Sequence, residues 1–314
     1  MWFATTLNCT GVTFPADSAA SDPPIAAPSA GDATDLVMIA REVAQEAADR
    51  VRARRLELFA PTGTRTVGDA VASKSTRTDP VTVADTETES VIRRLLHDRR
   101  PDDEILGEES GGSMDVPTGV RWVVDPIDGT VNFLYGIPAY AVSVAAQIDG
   151  RSVAGAVVDV ARGVTYWAGE GTGAWMCGPD DPDPIRLRCN QIDELELALV
   201  ATGFAYSRGR RERQGRMVAG LVPQVRDIRR VGAAALDLCM VASGAVDAHI
   251  EHGLSPWDWA AGGLIAAEAG ARVIVPPADS RASDGHATIA VADGVADEFL
   301  TVLDGLGARA AMPD

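Results

Sequence analysis

Asp125, Asp128 and Thr130 place two carboxylates and a hydroxyl within six consecutive residues. They belong to the stretch Trp122-Val123-Val124-Asp125-Pro126-Ile127-Asp128-Gly129-Thr130-Val131-Asn132-Phe133. Its first half reads as a short buried strand of β-branched and aromatic residues running into a carboxylate. Pro126, lacking an N–H, is expected to stop the ladder, and Gly129 permits backbone geometry that other residues resist. Both aspartates then lie on one tight turn at a strand end, close enough to share hard cations. Thr130 opens a short helix, whose first N–H groups suit a phosphate. An ordinary Asx-rich turn would use the same residue types, so the turn alone does not decide.

Glu108, in Gly107-Glu108-Glu109-Ser110, and Asp258, in Trp257-Asp258, also stand at element ends. With Asp125 and Asp128 they make four negative charges that cannot cluster without compensation. Two or three divalent cations would supply it, and oxygen-only ligands favour Mg²⁺. For Asp258 alone, helix capping is a sufficient explanation, though capping and ligation can coexist. Ser255 suits the N-cap, Pro256 the first helical position and Asp258 the third.

The elements that must carry these residues follow from periodicity. Residues 1–33 are rich in Ala, Ser, Pro, Asp and Gly without a period, and are expected to be a disordered tail. From Thr34, the residues Leu36, Ile39, Ala40, Val43, Ala47 and Val51 line one helix face. A polar loop containing Lys74 leads to Val81-Thr82-Val83-Ala84-Asp85. A helix follows, with Thr86, Glu87 and Glu89 in its first turn and Val91, Leu95 and Leu96 buried. Ile105–Gly112 is expected to be a strand ending in an acidic, glycine-loosened loop. Tyr140–Ile148 and Val153–Val160 form a hairpin around Asp149-Gly150. Gly169-Glu170-Gly171-Thr172-Gly173-Ala174 superficially matches a dinucleotide fingerprint, but no long helix follows, so it reads as a turn. Strands and helices then alternate: Leu197–Phe204, a helix Arg208–Val222 with a basic, exposed start, Ile228–Gly232, a buried helix Ala233–Ser243 and Asp247–Glu251. The helix from Ser255 and the strand Val273–Val275 complete the series. Two subdomains are expected, 34–186 with an antiparallel sheet and 187–310 of α/β type.

Composition narrows the class. The chain has 314 residues, 46% of them hydrophobic, and a formal net charge of −17. That charge argues against nucleic acid and an anionic membrane as partners, but not against a small anion bridged by metal. Cys9, Cys177, Cys189 and Cys239 show no C-x-x-C spacing, Cys239 reads as a core residue, and a reducing cytoplasm fits best. No apolar run is long enough to span a membrane, and no signal peptide is recognisable.

Gly107-Glu108-Glu109-Ser110, Asp125-Pro126-Ile127-Asp128-Gly129-Thr130-Val131-Asn132-Phe133 and Trp257-Asp258-Trp259-Ala260-Ala261-Gly262 together resemble the three signatures of the inositol monophosphatase family. The resemblance covers roughly residues 35–305. Tyr135-Gly136-Ile137-Pro138-Ala139-Tyr140-Ala141 is similar to the family's bacterial SuhB-type branch. The resemblance implies an α+β, α/β fold, the layered α-β-α-β-α sandwich shared with fructose-1,6-bisphosphatase. It implies Mg²⁺-dependent hydrolysis of a small phosphate monoester, inositol 1-phosphate foremost, by direct attack of a metal-activated water, with lithium sensitivity and a homodimer. Glu108, Asp125 and the Ile127 carbonyl would hold a first Mg²⁺ and Asp125, Asp128 and Asp258 a second, with a weaker third near Glu108. Thr130, paired with Asp85, would orient and help deprotonate the water. Gly129 and Thr130 would hold phosphate. Asp128, Gly232, Ala233, Ala234 and Glu251 would meet the rest of the substrate, and Lys74 would be the mobile-loop lysine. Ser255-Pro256, where some relatives carry His-Cys, and an acidic-proline insert near Asp180–Pro184 depart from the pattern.

Rival chemistries fit less well. An aspartyl-phosphate phosphatase needs two aspartates separated by one residue, and here two intervene. No G-x-S-x-G elbow supports a Ser-His-Asp hydrolase. Fructose 1,6-bisphosphate, histidinol phosphate and 3′-phosphonucleotides remain alternative substrates, and a non-catalytic regulator keeping the fold is the alternative of another class.

Overall fold

A computed structural model describes residues 30–59, 71–73, 80–180 and 183–314. Lys74 and all of the expected disordered tail except residues 30–33 lie outside the described residues. Helix α1, Ala30–Leu58, takes in 30–33 and begins before Thr34. It buries Leu36, Ala40, Val43, Ala47 and Val51 as the periodicity predicts, with Ala44 and Ala48 beside them and Ile39 half-buried. Burying each such Leu or Val stabilises by about 2 kcal/mol, so packing rather than intrinsic propensity fixes this helix.

β1 (Val71–Ser73) and β2 (Pro80–Thr82) form a two-stranded ribbon leading into α2 (Val83–Arg99). On α2 Leu95 and Leu96 are buried as expected, joined by Ile92 rather than by Val91, which is half-buried, and Glu89 is fully buried. β3 (Glu104–Gly107), β4 (Val120–Asp128), β5 (Ala141–Ile148), β6 (Arg151–Asp159), β7 (Val164–Gly169), β8 (Gly173–Cys177) and β9 (Ile185–Arg186) follow one another in a seven-stranded sheet. Only β3 and β4 pair in parallel; the rest is a meander. Asp149 (φ 52°) and Gly150 (φ 74°) make the expected tight turn between β5 and β6. The glycine run at 169–174 is the β7–β8 hairpin. The central stretch differs from expectation in one respect. Pro126 does not end β4: the register shifts between Asp125 and Asp128, and pairing resumes at Asp128 opposite Ala141. A bulge absorbs the proline, whose missing N–H faces no ladder partner there.

The short helix α3 (Thr130–Tyr135) leaves this strand. A second sheet contains β10 (Leu199–Thr202), β11 (Asp227–Arg229), β12 (Ala248–His252), β13 (Ala271–Ile274) and β14 (Ala287–Ala292), in the order β11-β10-β12-β14-β13. β10 runs parallel to β11 and β12; β14 is antiparallel to β12 and β13. Helices α4 (Arg208–Leu221), α5 (Ala234–Ala242), α6 (Pro256–Glu268) and α7 (Ala296–Gly305) complete the fold.

The layers follow from which faces are apolar. α1 and α2 cover one face of the seven-stranded sheet around Val43, Leu96, Trp122 and Val144. α5 and α6 are apolar on nearly all sides, as helices buried between two sheets must be, and they pack against both. Met217 and Leu221 of α4, with Phe299 and Leu303 of α7, cover the outer face of the second sheet. The result is the expected α-β-α-β-α sandwich. Cys239 is 1% exposed in the middle layer. Among the described residues no helix is long and apolar enough to cross a membrane.

Candidate active site

The starts of α3, α5 and α6 converge on one cleft, with the start of α2 behind Thr130, and the carboxylates of interest are bound up with them. Thr82 caps α2, and Asp85 at its third position accepts from Thr82 N at 2.9 Å. Ser255 and Asp258 form the matching capping box on α6, with Ser255 N donating to Asp258 Oδ2 at 2.7 Å. Asp128 closes the open end of α5, accepting from Ala234 N at 3.2 Å and Ala235 N at 2.7 Å. Gly129 precedes α3 with φ 91°, a left-handed turn that admits no side chain cheaply, and Ala139 O and Gly232 O would crowd a Cβ there, at 3.0 and 3.2 Å. Three positive helix ends, of α2, α5 and α6, therefore each carry one of these acids, which offsets part of the cost of gathering them.

Among the described residues, Asp125, Asp128 and Asp258 form the cluster able to hold a cation, with carboxylate oxygens all within 4.8 Å of one another. Ile127 N donates to Asp125 Oδ1 at 3.0 Å, fixing that carboxylate across the bulge. Glu108 lines the same cleft but is not part of this tight group. Burial pushes Asp128 up to about 7 against the opposing Ala235 N–H, and the Glu108 charge adds to the rise. Burial likewise holds Asp258 well above the usual carboxylate range, reinforced by Glu108 and Asp128. Acids that resist ionising together, each with oxygen as its only donor, fit a hard divalent cation.

Thr130 Oγ1 lies 3.0 Å from Asp85 Oδ1 and 3.1 Å from Ile127 O. Its single proton is donated to one of them at a time, which turns a lone pair outward. Asn132 Nδ2 donates to Ala139 O at 2.7 Å and Val231 O at 2.9 Å, tying α3 to the loop before α5. The cleft encloses about 920 Å³ and is lined by Glu108, Asp125, Ile127, Asp128, Gly129, Thr130, Gly232, Ala234, Glu251 and Asp258, among others. Asp85 stands behind Thr130, and Ala233 is buried behind Gly232 and Ala234, off the cleft wall. Burial pushes Glu251 up to about 7, opposed by the Arg230 charge.

Several residues of the site escape a reading of the sequence. The Glu89 carboxylate accepts from Glu109 N at 2.7 Å and Ser110 N at 2.9 Å and pairs with Arg93 at 2.7 Å, so it braces the loop that carries Glu108. Its spacing of four to Arg93 was the available signal. Arg210, expected in an exposed basic cluster, is 2% exposed. It donates to Met312 O at 2.6 Å and Ser283 O at 3.0 Å and pairs with Asp314, which brings the 312–314 segment to the cleft. Arg230, Phe204 and Tyr206 also line the cleft, and nothing in their local sequence announces it.

A profile of the inositol monophosphatase family matches residues 32–303. The chain is 52% identical over 283 residues to the inositol-1-monophosphatase of Mycobacterium bovis, covering 88% of this chain and 96% of that protein. It is 38% identical over 196 residues to the Nus factor SuhB of Haemophilus influenzae, covering 62% of this chain and 71% of that protein. The solved structure of Mycobacterium tuberculosis SuhB superposes with a TM-score of 0.74 at 48% identity, covering 88% of this chain and 98% of that one. With sequence, fold and acidic cleft in agreement, the chain belongs to the inositol monophosphatase family and is a phosphatase of that type.

Proposed function

We propose that the chain hydrolyses inositol 1-phosphate to inositol and phosphate with the help of two to three Mg²⁺ ions. The observation that carries the reading is the Asp125–Asp128–Asp258 cluster beside the Thr130–Asp85 hydrogen bond. Asp125, Asp128, Asp258, Glu108 and the Ile127 carbonyl would hold the ions. Bound Mg²⁺ supplies charge neutralisation and lowers the cost of ionising the attacking water and of expelling the leaving alkoxide. Thr130 Oγ1, its proton committed to Asp85, accepts from that water and aims it at phosphorus. The Gly129 and Thr130 backbone N–H groups hold the phosphate oxygens. Glu251 and the Gly232–Ala234 loop meet the inositol hydroxyls, and Lys74 is assigned the part of the family's mobile-loop lysine. Attack is direct, with no phosphoenzyme, because no side-chain nucleophile is needed when water is activated in line. A cytoplasmic homodimer inhibited by lithium belongs to the same reading.

A second reading rests on the Haemophilus influenzae relative, whose name is Nus factor. In it the fold serves regulation without turnover. Phosphate release, with and without Mg²⁺, from inositol 1-phosphate, fructose 1,6-bisphosphate, histidinol phosphate and 3′-phosphoadenosine 5′-phosphate separates the two. Mg²⁺-dependent preference for inositol 1-phosphate is expected. Preference for another of the four would overturn the substrate, and no release from any would favour the regulator.

A further inference from the structure

A group of polar side chains that this chemistry does not use lies behind Glu251. His249 and Glu251 are alternate residues of β12 and share one face of the sheet. Thr288 of β14 stands directly opposite Glu251, on the same face. From α5, which packs on this face, Asp237 brings Oδ2 to 3.7 Å from His249 Nδ1. His249 and Thr288 are 0% exposed and Asp237 1%. Yet Asp237 Oδ1, both ring nitrogens of His249 and Thr288 Oγ1 have no hydrogen-bond partner among the described residues. Buried polar atoms are nearly always paired, with protein or with ordered water. Several of them gathered on one face mark a place where water completes the network.

The protonation states give the network a direction. Burial holds Asp237 well above the usual carboxylate range, with the Glu251 and Asp128 charges adding to the effect, which favours its protonated form. Burial takes His249 down to about 3, so its ring is neutral, with one donor and one acceptor nitrogen. An Asp237 hydroxyl facing Nδ1 makes that nitrogen the acceptor and leaves the proton on Nε2. Glu251, beyond it, lies over the bare Cα of Gly203, where an added Cβ would fall 2.0 Å from Oε2, and it fronts the cleft.

We propose that Asp237 and His249 are positioning residues for Glu251. The Asp237 carboxyl facing His249 Nδ1, joined to it and, from Nε2–H, onward to Glu251 through ordered water, holds the Glu251 carboxylate in the orientation that receives substrate hydroxyls. The kinetic side of this proposal rests on the reading of Glu251 as the hydroxyl-binding acid; the tautomer does not.

Two experiments test it. In the full chain labelled with ¹⁵N-imidazole, the His249 signal is identified by its loss in His249→Phe. It is expected as the neutral Nε2–H tautomer from about pH 5 to 8, and it should move in Glu251→Gln. An Nδ1–H tautomer, or a signal indifferent to Glu251→Gln, would overturn the chain of bonds. In kinetics, His249→Phe and Asp237→Leu are expected to raise KM for inositol 1-phosphate about fivefold with kcat within about twofold. Asp237→Asn, which retains a donor, is expected to restore the wild-type KM. Turnover of p-nitrophenyl phosphate, which offers Glu251 no hydroxyl, is expected to stay unchanged. Equal losses on both substrates would mean a merely structural role and contradict the proposal. The NMR measurement needs neither substrate nor variant stability beyond the assignment, so it stands even where wild-type protein releases no phosphate from inositol 1-phosphate.

Discussion

At the scale of single residues, the cleft places buried carboxylates side by side and meets their cost with fixed donors. Asp128 takes two N–H groups from α5, Asp258 one from Ser255 and Asp125 one from Ile127. An ionised carboxylate has about four lone-pair sites, so these backbone donors do not by themselves exhaust it. Thr130 is different: its hydroxyl proton is engaged, and in the proposed function its free lone pair is what receives the water. Thr130→Ala is therefore expected to lower kcat by about a hundredfold or more while Mg²⁺ affinity stays within about twofold. Steady-state kinetics alongside Mg²⁺ titration by calorimetry checks this, and a parallel loss of Mg²⁺ binding would move Thr130 from water to metal. Asp125, Asp128 and Thr130 were legible in the sequence because they share a turn whose residue types announce it, whereas Asp85 came only with the family resemblance and its place in the Thr82 capping box was not read. Glu89 was not legible. A glutamate in a helix's first turn reads as solvated, and only the return of the 108–110 loop over it reveals two backbone donors.

At the scale of elements, helix starts and one bulge do the positioning. The Ser255-Pro256 start of α6 was readable because cap, first position and third position all agreed. The continuation of β4 past Pro126 was not, because whether a proline ends a strand or forms a bulge depends on the partner strand, here Ala141 of β5. Arg210 escaped for a similar reason. A run of arginines looks exposed until the 312–314 segment, distant in sequence, supplies carbonyl acceptors. The Glu89 brace gives an element-scale expectation. Glu89→Gln leaves one N–H of the Glu108 loop or Arg93 without its partner, so unfolding free energy should fall by about 1–3 kcal/mol. The Mg²⁺ concentration for half-maximal activity should rise as the loop loosens. Urea denaturation and a Mg²⁺ titration read the two effects, and unchanged Mg²⁺ dependence would detach the brace from the site.

At the scale of the molecule, the switch from a meander to alternating strands and helices was visible in the sequence, and the three helical layers came with the family resemblance. The cleft's outer wall was not visible, because Phe204, Tyr206 and Arg230 come from loops whose path only the assembled layers determine. The whole fold also carries a pH signature. Asp128 rises from 3.8 to about 7 and Glu251 from 4.5 to about 7 on burial. A raised carboxylate binds its proton more tightly folded than unfolded. Its contribution is thus fully present below about pH 4 and lost as pH rises through about 7. In chelator, the melting temperature is expected to fall between about pH 5 and 8. Mg²⁺, which favours the ionised acids, should oppose that fall, so the Mg²⁺-induced shift grows with pH; a shift independent of pH would contradict the electrostatics of the cluster.

Phosphate release from inositol 1-phosphate by wild type and Asp128→Asn, with Mg²⁺ and with chelator, tests the acidic cluster most directly. Wild type is expected to turn over only with Mg²⁺. Asp128→Asn should lose about a thousandfold or more in kcat while keeping its circular dichroism. Release that survives chelator, or undiminished turnover in Asp128→Asn, would contradict the assignment of Asp125, Asp128 and Asp258 as the metal-holding heart of the enzyme.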